Sequence, residues 1–279
     1  MQHGRFFGAM ALFLLGSSSA MAGVVVTATY TKLDTRQASP MTVFIDTDKL
    51  KVVTPDTTVI FRGDTNRMWV VMPEQRSYTE MTPETMQQMG GQLAGAQAQL
   101  GAAQAQLQAQ LAQMPPEQRA MMQQMLAGRG IPGLGGPPGA GSAPPQISFA
   151  KAGGGKTVGS WNCENYSKMM NGQKEEDICI APLTTAGITA ADVQVFEKFS
   201  AFMQPILSSP MVPKMSYMSW NDMNKAVGFA GMPLDTTTYL QGRPSIQQTV
   251  NKIERTAIPA GTYDLPAGLT KRDIPGAGR

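Results

Sequence analysis

The residues able to do acid–base, nucleophilic or metal chemistry are few, and their spacing argues against all three. The single histidine of the 279-residue chain is His3, which lies in a leader-like segment expected to be removed on export. The mature protein then has no imidazole to activate a Ser or Cys nucleophile and no His ligand for zinc or iron, so the commonest hydrolase and metalloenzyme arrangements are excluded. Cys163 and Cys179 are the only thiols. Their spacing is not Cys-x-x-Cys and no basic residue flanks either one, so a disulfide is expected and a redox site is not. Adjacent carboxylates Glu175, Glu176 and Asp177 would raise one another's pKa values if they converged. Neighbours on a strand point to opposite faces, so a solvated hairpin shoulder is expected. The 21 methionines include Met86-x-x-Met89, Met122-x-x-Met125 and Met215-x-x-Met218. That spacing could offer thioethers to Cu(I), but core or groove lining explains it without metal. No catalytic residue, cofactor or metal site is expected.

Gly153-Gly154-Gly155-Lys156-Thr157 matches the end of a phosphate-binding loop but has Ala150 where the pattern's first Gly belongs, and it leads into a strand pattern where a helix is needed. A flexible turn is the expectation. The chain opens with Arg5, an apolar run from Phe6 to Leu15 and the small-residue site Ala20-Met21-Ala22, the signature of a signal peptide cleaved after Ala22. Cleavage removes 22 of 279 residues, leaving 257, and takes the formal charge from +3 to +2. The expected location is periplasmic or secreted. No later stretch reaches the roughly 20 apolar residues of a membrane span, and so small a charge gives no footprint for nucleic acid.

From Val24 to Met81, short β-branched and aromatic runs alternate with Asp, Asn, Gly and Pro turns, as in an antiparallel meander. At Thr82 the period changes. Thr82 can cap a helix with Pro83 at its first position, and Met86, Leu93, Leu100, Leu107 and Met114 recur at heptad spacing, broken at Pro115-Pro116. Strands return at Ile147, and Asn171-Gly172 predicts a tight hairpin that sets the two cysteines on adjacent strands. Thr189 opens a Thr-x-x-Asp capping pattern for a helix whose Val193, Phe196, Phe199 and Met203 share one face. The expected organisation is a signal peptide at 1–22, an N-terminal half of a β domain at 23–84, an Ala/Gln/Met-rich helical insertion at 85–128, a Gly/Pro linker at 129–146, and the C-terminal half at 147–279.

Several segments in this order resemble a family of exported bacterial proteins, defined as a domain of unknown function, that is similar to the LolA-like periplasmic lipoprotein carriers. They are Val43-Phe44-Ile45-Asp46 with Lys49-Leu50-Lys51, Ile60-Phe61-Arg62-Gly63-Asp64, Ser77-Tyr78-Thr79-Glu80, Gly159 to Cys163, Gly231-Met232-Pro233-Leu234, and Tyr263-Asp264-Leu265-Pro266-Ala267-Gly268. The resemblance implies an α+β fold in which a curved antiparallel sheet forms an open half-barrel with covering helices, here with a long low-complexity helical insertion. Its concave face would hold a hydrophobic ligand, either a lipid or a lipoprotein acyl chain. Candidate lining residues are Phe44, Phe61, Trp69, Tyr78 and Trp161 on strands, with Phe196, Phe199 and Met203 on the helix. Strand residues of this kind are more often core than ligand wall, and in a half-barrel the two readings partly merge, because the lining of such a trough is the part of the core left unfilled. The alternative is a non-catalytic interaction or assembly protein that docks a partner through residues 85–128.

Overall fold

Alternating strands and short turns with fixed geometry account for most of the architecture. The computed structural model describes residues 22–118, 146–207 and 220–273. Strands β1 (Ala22–Lys32), β2 (Gln37–Ile45), β3 (Lys49–Val53), β4 (Thr58–Arg62), β5 (Arg67–Met72) and β6 (Ser77–Met81) pair antiparallel in sequence order. Helix α1 (Pro83–Ala112) follows, then β7 (Ile147–Val158), β8 (Trp161–Met170) and β9 (Gln173–Pro182). Helices α2 (Gln194–Leu207) and α3 (Trp220–Val227) precede β10 (Gly231–Leu240), β11 (Arg243–Ala257) and the short β12 (Thr270–Lys271). All twelve strands form one unclosed sheet, in the order β12-β6-β5-β4-β3-β2-β1-β11-β10-β9-β8-β7, antiparallel except where β12 runs beside β6. The two halves expected from the sequence are joined by β1 and β11, paired from Ala22↔Ala257 to Lys32↔Ile246.

The turns follow a pattern. Asn171-Gly172 closes a two-residue hairpin with both residues at positive φ (51° and 80°), and Gln241-Gly242 does the same at 52° and 74°. That geometry matches the right-handed twist of the flanking strands. Hairpin loops 33–36, 63–66 and 73–76 each end on a left-handed residue, at Arg36, Asn66 and Arg76. The triple-glycine segment is not a flexible turn. β7 runs through it with a bulge between Lys151 and Gly155, and Gly153 and Gly154 supply φ of 67° and 58°. The glycines bend an edge strand without ending it.

One sheet face buries Val24, Val26, Ile45, Leu50, Phe61 and Met68, with Val43, Val52, Val59, Val70 and Met81 packed against them. On that side Phe199 and Phe202 of α2 meet Phe61, both at 5.4 Å between ring centroids. α1 begins as the sequence predicts. Pro83 is its first residue, and Thr82 and Thr85 form a reciprocal cap in which each side chain accepts from the other's backbone N–H, at 3.4 and 2.7 Å. Met86 is fully buried, but the expected heptad seam is followed unevenly: Leu93 and Leu107 are half-buried and Leu100 is 58% exposed. α1 meets α2 at Gly90, where an added Cβ would lie 2.6 Å from the Pro205 carbonyl oxygen. The helix stops at Ala112, before Pro115-Pro116. The expected helical continuation through Met121–Leu126, the linker up to Pro145, the signal peptide up to Met21 and the Met122/Met125 and Met215/Met218 pairs lie outside the described residues.

The opposite face buries Ile60 and Val71, and residues 258–271 are fastened along that side from β1 to β6. Ile258 packs against Gly23, a contact that any Cβ would obstruct. The Lys51 ammonium donates to the Thr262 carbonyl (2.9 Å), Arg62 meets Asp264 (3.3 Å), and the Thr270 N–H donates to the Arg76 carbonyl (2.9 Å) as β12 begins. Tyr263 is buried within this strap, and burial, aided by Asp46 and Asp48, pushes its phenol above the ordinary tyrosine value.

The Cys163–Cys179 disulfide links β8 to β9 with 5.4 Å between Cα atoms, and both sulfurs are buried. Closing a 16-residue separation should stabilise the fold by about 3 kcal/mol, so Cys163→Ala/Cys179→Ala is expected to lower the urea-unfolding free energy by that order. A second expectation separates two glycines by sign. Gly91→Ala, with nothing within 4 Å of the new methyl, should gain up to about 1 kcal/mol from helix propensity. Gly90→Ala should lose stability by forcing α1 off Pro205. Equal shifts for the two variants in thermal denaturation would contradict the close helix contact.

Candidate functional site

The position of α2 decides what the candidate lining residues can do. The segment before it turns through Thr189 and Asp192, where the Thr189 N–H donates to Asp192 Oδ2 (2.7 Å) and the Asp192 N–H to Thr189 Oγ1 (3.4 Å). This is the capping pattern seen in the sequence, but it closes a turn and the helix itself begins at Gln194. Arg255 of β11 grips the turn, donating to both Asp192 oxygens and to the Gly187 carbonyl (3.4 Å). Burial alone would raise the Asp192 pKa, but hydrogen bonds from Arg255 and Thr189 hold it down at about 2. Ile188, Val193 and Val195 are buried beside the turn, so α2 starts from a fixed point on β11. At its other end Pro205 lacks the N–H that would complete a helical hydrogen bond.

Five of the eight candidates share one extended apolar cluster, four of them on the Phe61 side; Trp161, in step with Asn165, Cys179, Asp235, Thr249 and Thr29, stands on the other. Phe61, Trp161, Phe196, Phe199 and Met203 belong to one apolar cluster. Phe61 is fully buried, while Phe196, Phe199 and Met203 are only partly buried. Phe196 stacks on Trp220 of α3 at 5.2 Å and 12°. The other three lie elsewhere. Register pairs Phe44 with Val25 and Lys51, Trp69 with Ile60, and Tyr78 with Val71, all on the face opposite Phe61. Each is one residue out of step with the helix-side row, and on a strand one step reverses the face. The sequence reading missed three members: Phe202, three residues beyond Phe199; Met86, in the first turns of α1; and Trp220. The spacing of Phe202 from Phe199 was a visible signal; nothing local announces Trp220.

A second concavity, of about 420 Å³, lies on β7–β10 and is lined by Lys156, Asn165, Lys174, Asp177, Asp235 and Thr237, among others. Its carboxylates are already partnered. Asp235, 6% exposed, accepts from Lys156 (2.6 Å), Gln247 (3.1 Å) and Thr249 (2.6 Å). Asp177 accepts from Ser167 (2.6 Å), Tyr239 (2.7 Å) and Lys174 (3.1 Å). Burial would raise its pKa, but those three donors hold it below the ordinary carboxylate value. The expectation of a solvated shoulder at Glu175-Glu176-Asp177 is therefore corrected: Glu175 is buried, and Glu176 faces the buried Lys168 at 3.5 Å. As expected of strand neighbours, Glu176 and Asp177 serve different partners.

Among the described residues, no group of three His, Cys, Asp or Glu side chains could hold a metal ion. Among them also, no helix is long and apolar enough to cross a membrane.

No family model matches this chain. Nor does any curated protein. Twenty-six chains of solved structures match, among them one described as the structure of PNGF-II in C2 space group, at 8% identity and a TM-score of 0.36. That match covers 91% of this chain and 31% of the other, so the chain spans about a third of that protein's length. A likeness this loose carries no argument about fold or chemistry.

The grip of Arg255 on Asp192 has a pH signature. A carboxylate depressed to about 2 contributes stability fully above its unfolded value of about 3.9 and loses it as pH falls through the folded value. The stability difference between wild type and Arg255→Met, measured by denaturant unfolding, should be constant above about pH 5 and shrink towards pH 2. A difference that does not change with pH would dismiss this account of how α2 is anchored.

Proposed function

We propose that this chain is an exported, non-catalytic binding or carrier module that holds a hydrophobic ligand, the acyl chain of a lipid or lipoprotein, between the Phe61 face of the sheet and α2. The observation that carries the reading is the state of α2: Phe196, Phe199 and Met203 touch the core cluster yet stay partly exposed. They form an apolar seam between two layers, with part of each side chain still exposed.

In this reading the open sheet acts as a half-barrel, with α1 and α2 as its cover. Lys156 on β7 reaches Asp235 on β10 across two intervening strands. A flat sheet would set those strands about 14 Å apart, so the contact supports a curved one. The inner surface of that bend is polar and, with Asp235 paired to Thr249 and Thr249 to Thr29, lies on the face opposite Val24 and Phe61, so this reading puts the acyl chain at the helix-side seam and not in the bend. A ligand entering the seam must displace Phe199 and Phe202 from Phe61. Such ring pairs contribute about 0.5–1.5 kcal/mol each beyond their buried area, whereas each buried methylene returns about 0.8 kcal/mol. A handful of methylenes therefore offsets the opening. The disulfide and the leader pattern support a periplasmic or secreted location. The resemblance to LolA-like carriers belongs to this proposal and stands on the sequence segments alone.

Native mass spectrometry of the chain purified from its own compartment should show a co-purifying lipid, lost in Phe199→Asp. An empty wild-type protein that also refuses added phospholipid would defeat the reading. A second reading, docking of a partner through residues 85–128, is favoured by one observation: the middle turns of α1 are exposed, Leu100 to 58%. Deleting residues 85–145 discriminates the two. Lipid uptake survives the deletion if α1 serves a partner, and fails if α1 covers the ligand.

A further inference from the structure

Three buried side-chain polar atoms have no hydrogen-bond partner among the described residues: Ser77 Oγ, Tyr263 OH and Trp220 Nε1. Two of them are hydroxyls, which rotate and can either donate or accept. The indole N–H only donates, in a direction set by its ring. Trp220 is also placed differently. It packs against both apolar clusters of the molecule, the large one and the smaller one of Tyr166, Ile178, Ile180 and Met223. Its ring is fixed by stacking on Phe196, one of the three α2 residues of the seam. A donor locked in apolar surroundings without an acceptor is a standing cost to the fold.

We infer that Trp220 is the polar anchor of the seam and that the ligand it selects is a neutral acyl ester, whose carbonyl oxygen accepts from Nε1 while its chain lies along Phe196, Phe199 and Met203. This rests on the acyl-binding reading and goes further, because it names the head chemistry and the residue that reads it. The ester follows from the donor's nature. A neutral N–H satisfies a neutral carbonyl fully, whereas a free carboxylate would be buried with its charge unpaired, at much greater cost. A hydrocarbon would leave the N–H unmet.

The test uses the purified full chain stripped of lipid, with diphenylhexatriene as a fluorescent apolar probe and methyl oleate, oleate and 1-octadecene as competitors. Trp220→Phe keeps an aromatic ring on Phe196 and removes the donor together with part of the indole's bulk, a loss of packing that octadecene binding reads separately. The wild type should bind methyl oleate about tenfold more tightly than the variant does, the loss expected for one buried hydrogen bond. Octadecene should bind both proteins equally, and oleate should compete less well than the ester. A second measurement does not depend on the variant's stability. Of the three tryptophan indole resonances in ¹⁵N-labelled protein, the one from Trp220 should move downfield with methyl oleate and not with octadecene. Equal methyl oleate affinity in wild type and variant, or an unmoved Trp220 signal at saturation, overturns the anchor while leaving a lipid-binding seam. Binding of no probe by the wild type removes the seam itself, and the anchor with it.

Discussion

The pairing of β1 with β11 is the constraint on which the rest of the molecule depends. It joins the first described residues of the chain to strands more than two hundred positions later, from Ala22↔Ala257 to Lys32↔Ile246. Without it there would be two separate meanders, β1–β6 and β7–β11, each with an exposed inner edge. With it, Arg255 stands beside Val24 and can hold Asp192, which fixes where α2 begins. The strap that follows β11 likewise starts from Ala257 and is carried over the face of Ile60 and Val71. Contacts so distant in sequence close long loops, and their entropy must be recovered by many side chains at once. Val24, Val26 and Ala28 are accordingly all buried on β1.

The two faces of the sheet are completed in different ways. On one, helix side chains supply the second layer, with Phe199 and Phe202 of α2 against Phe61, and α1 held to α2 where Gly90 meets Pro205. On the other, a strap without regular structure is fastened by a lysine to a carbonyl, an arginine to an aspartate, and the two residues of β12. The helix layer leaves apolar side chains half-exposed at its margin. That margin is where the proposed ligand would lie.

The polar groups sort in the same way. Asp235 and Asp177 each accept from three side chains, so the β7–β10 concavity makes no electrostatic demand on a ligand. Trp220 Nε1, by contrast, has no partner among the described residues and sits where the apolar clusters meet. A satisfied network stiffens a fold, whereas an unsatisfied buried donor is a cost that the fold carries.

Sequence alone determined the features with a local cause. Thr82-Pro83 starts a helix because a hydroxyl meets a free N–H and proline has none to lose. Asn171-Gly172 makes a hairpin because both residues tolerate positive φ, and that hairpin brings Cys163 and Cys179 within bonding reach. Tertiary structure decided everything that depended on which face, which neighbour or how much cover. Phe44, Trp69 and Tyr78 look like Phe61 in the sequence but stand on the other side of the sheet, since one residue of register reverses a strand. Leu100 sits on the same heptad as Met86 but finds no layer to pack against. The triple glycine reads as a turn until β8 pairs with both of its flanks. A residue's type and its neighbours in sequence specify backbone geometry, but burial is a property of what arrives from elsewhere in the chain, and here that was settled by strands and a strap brought in over two hundred residues.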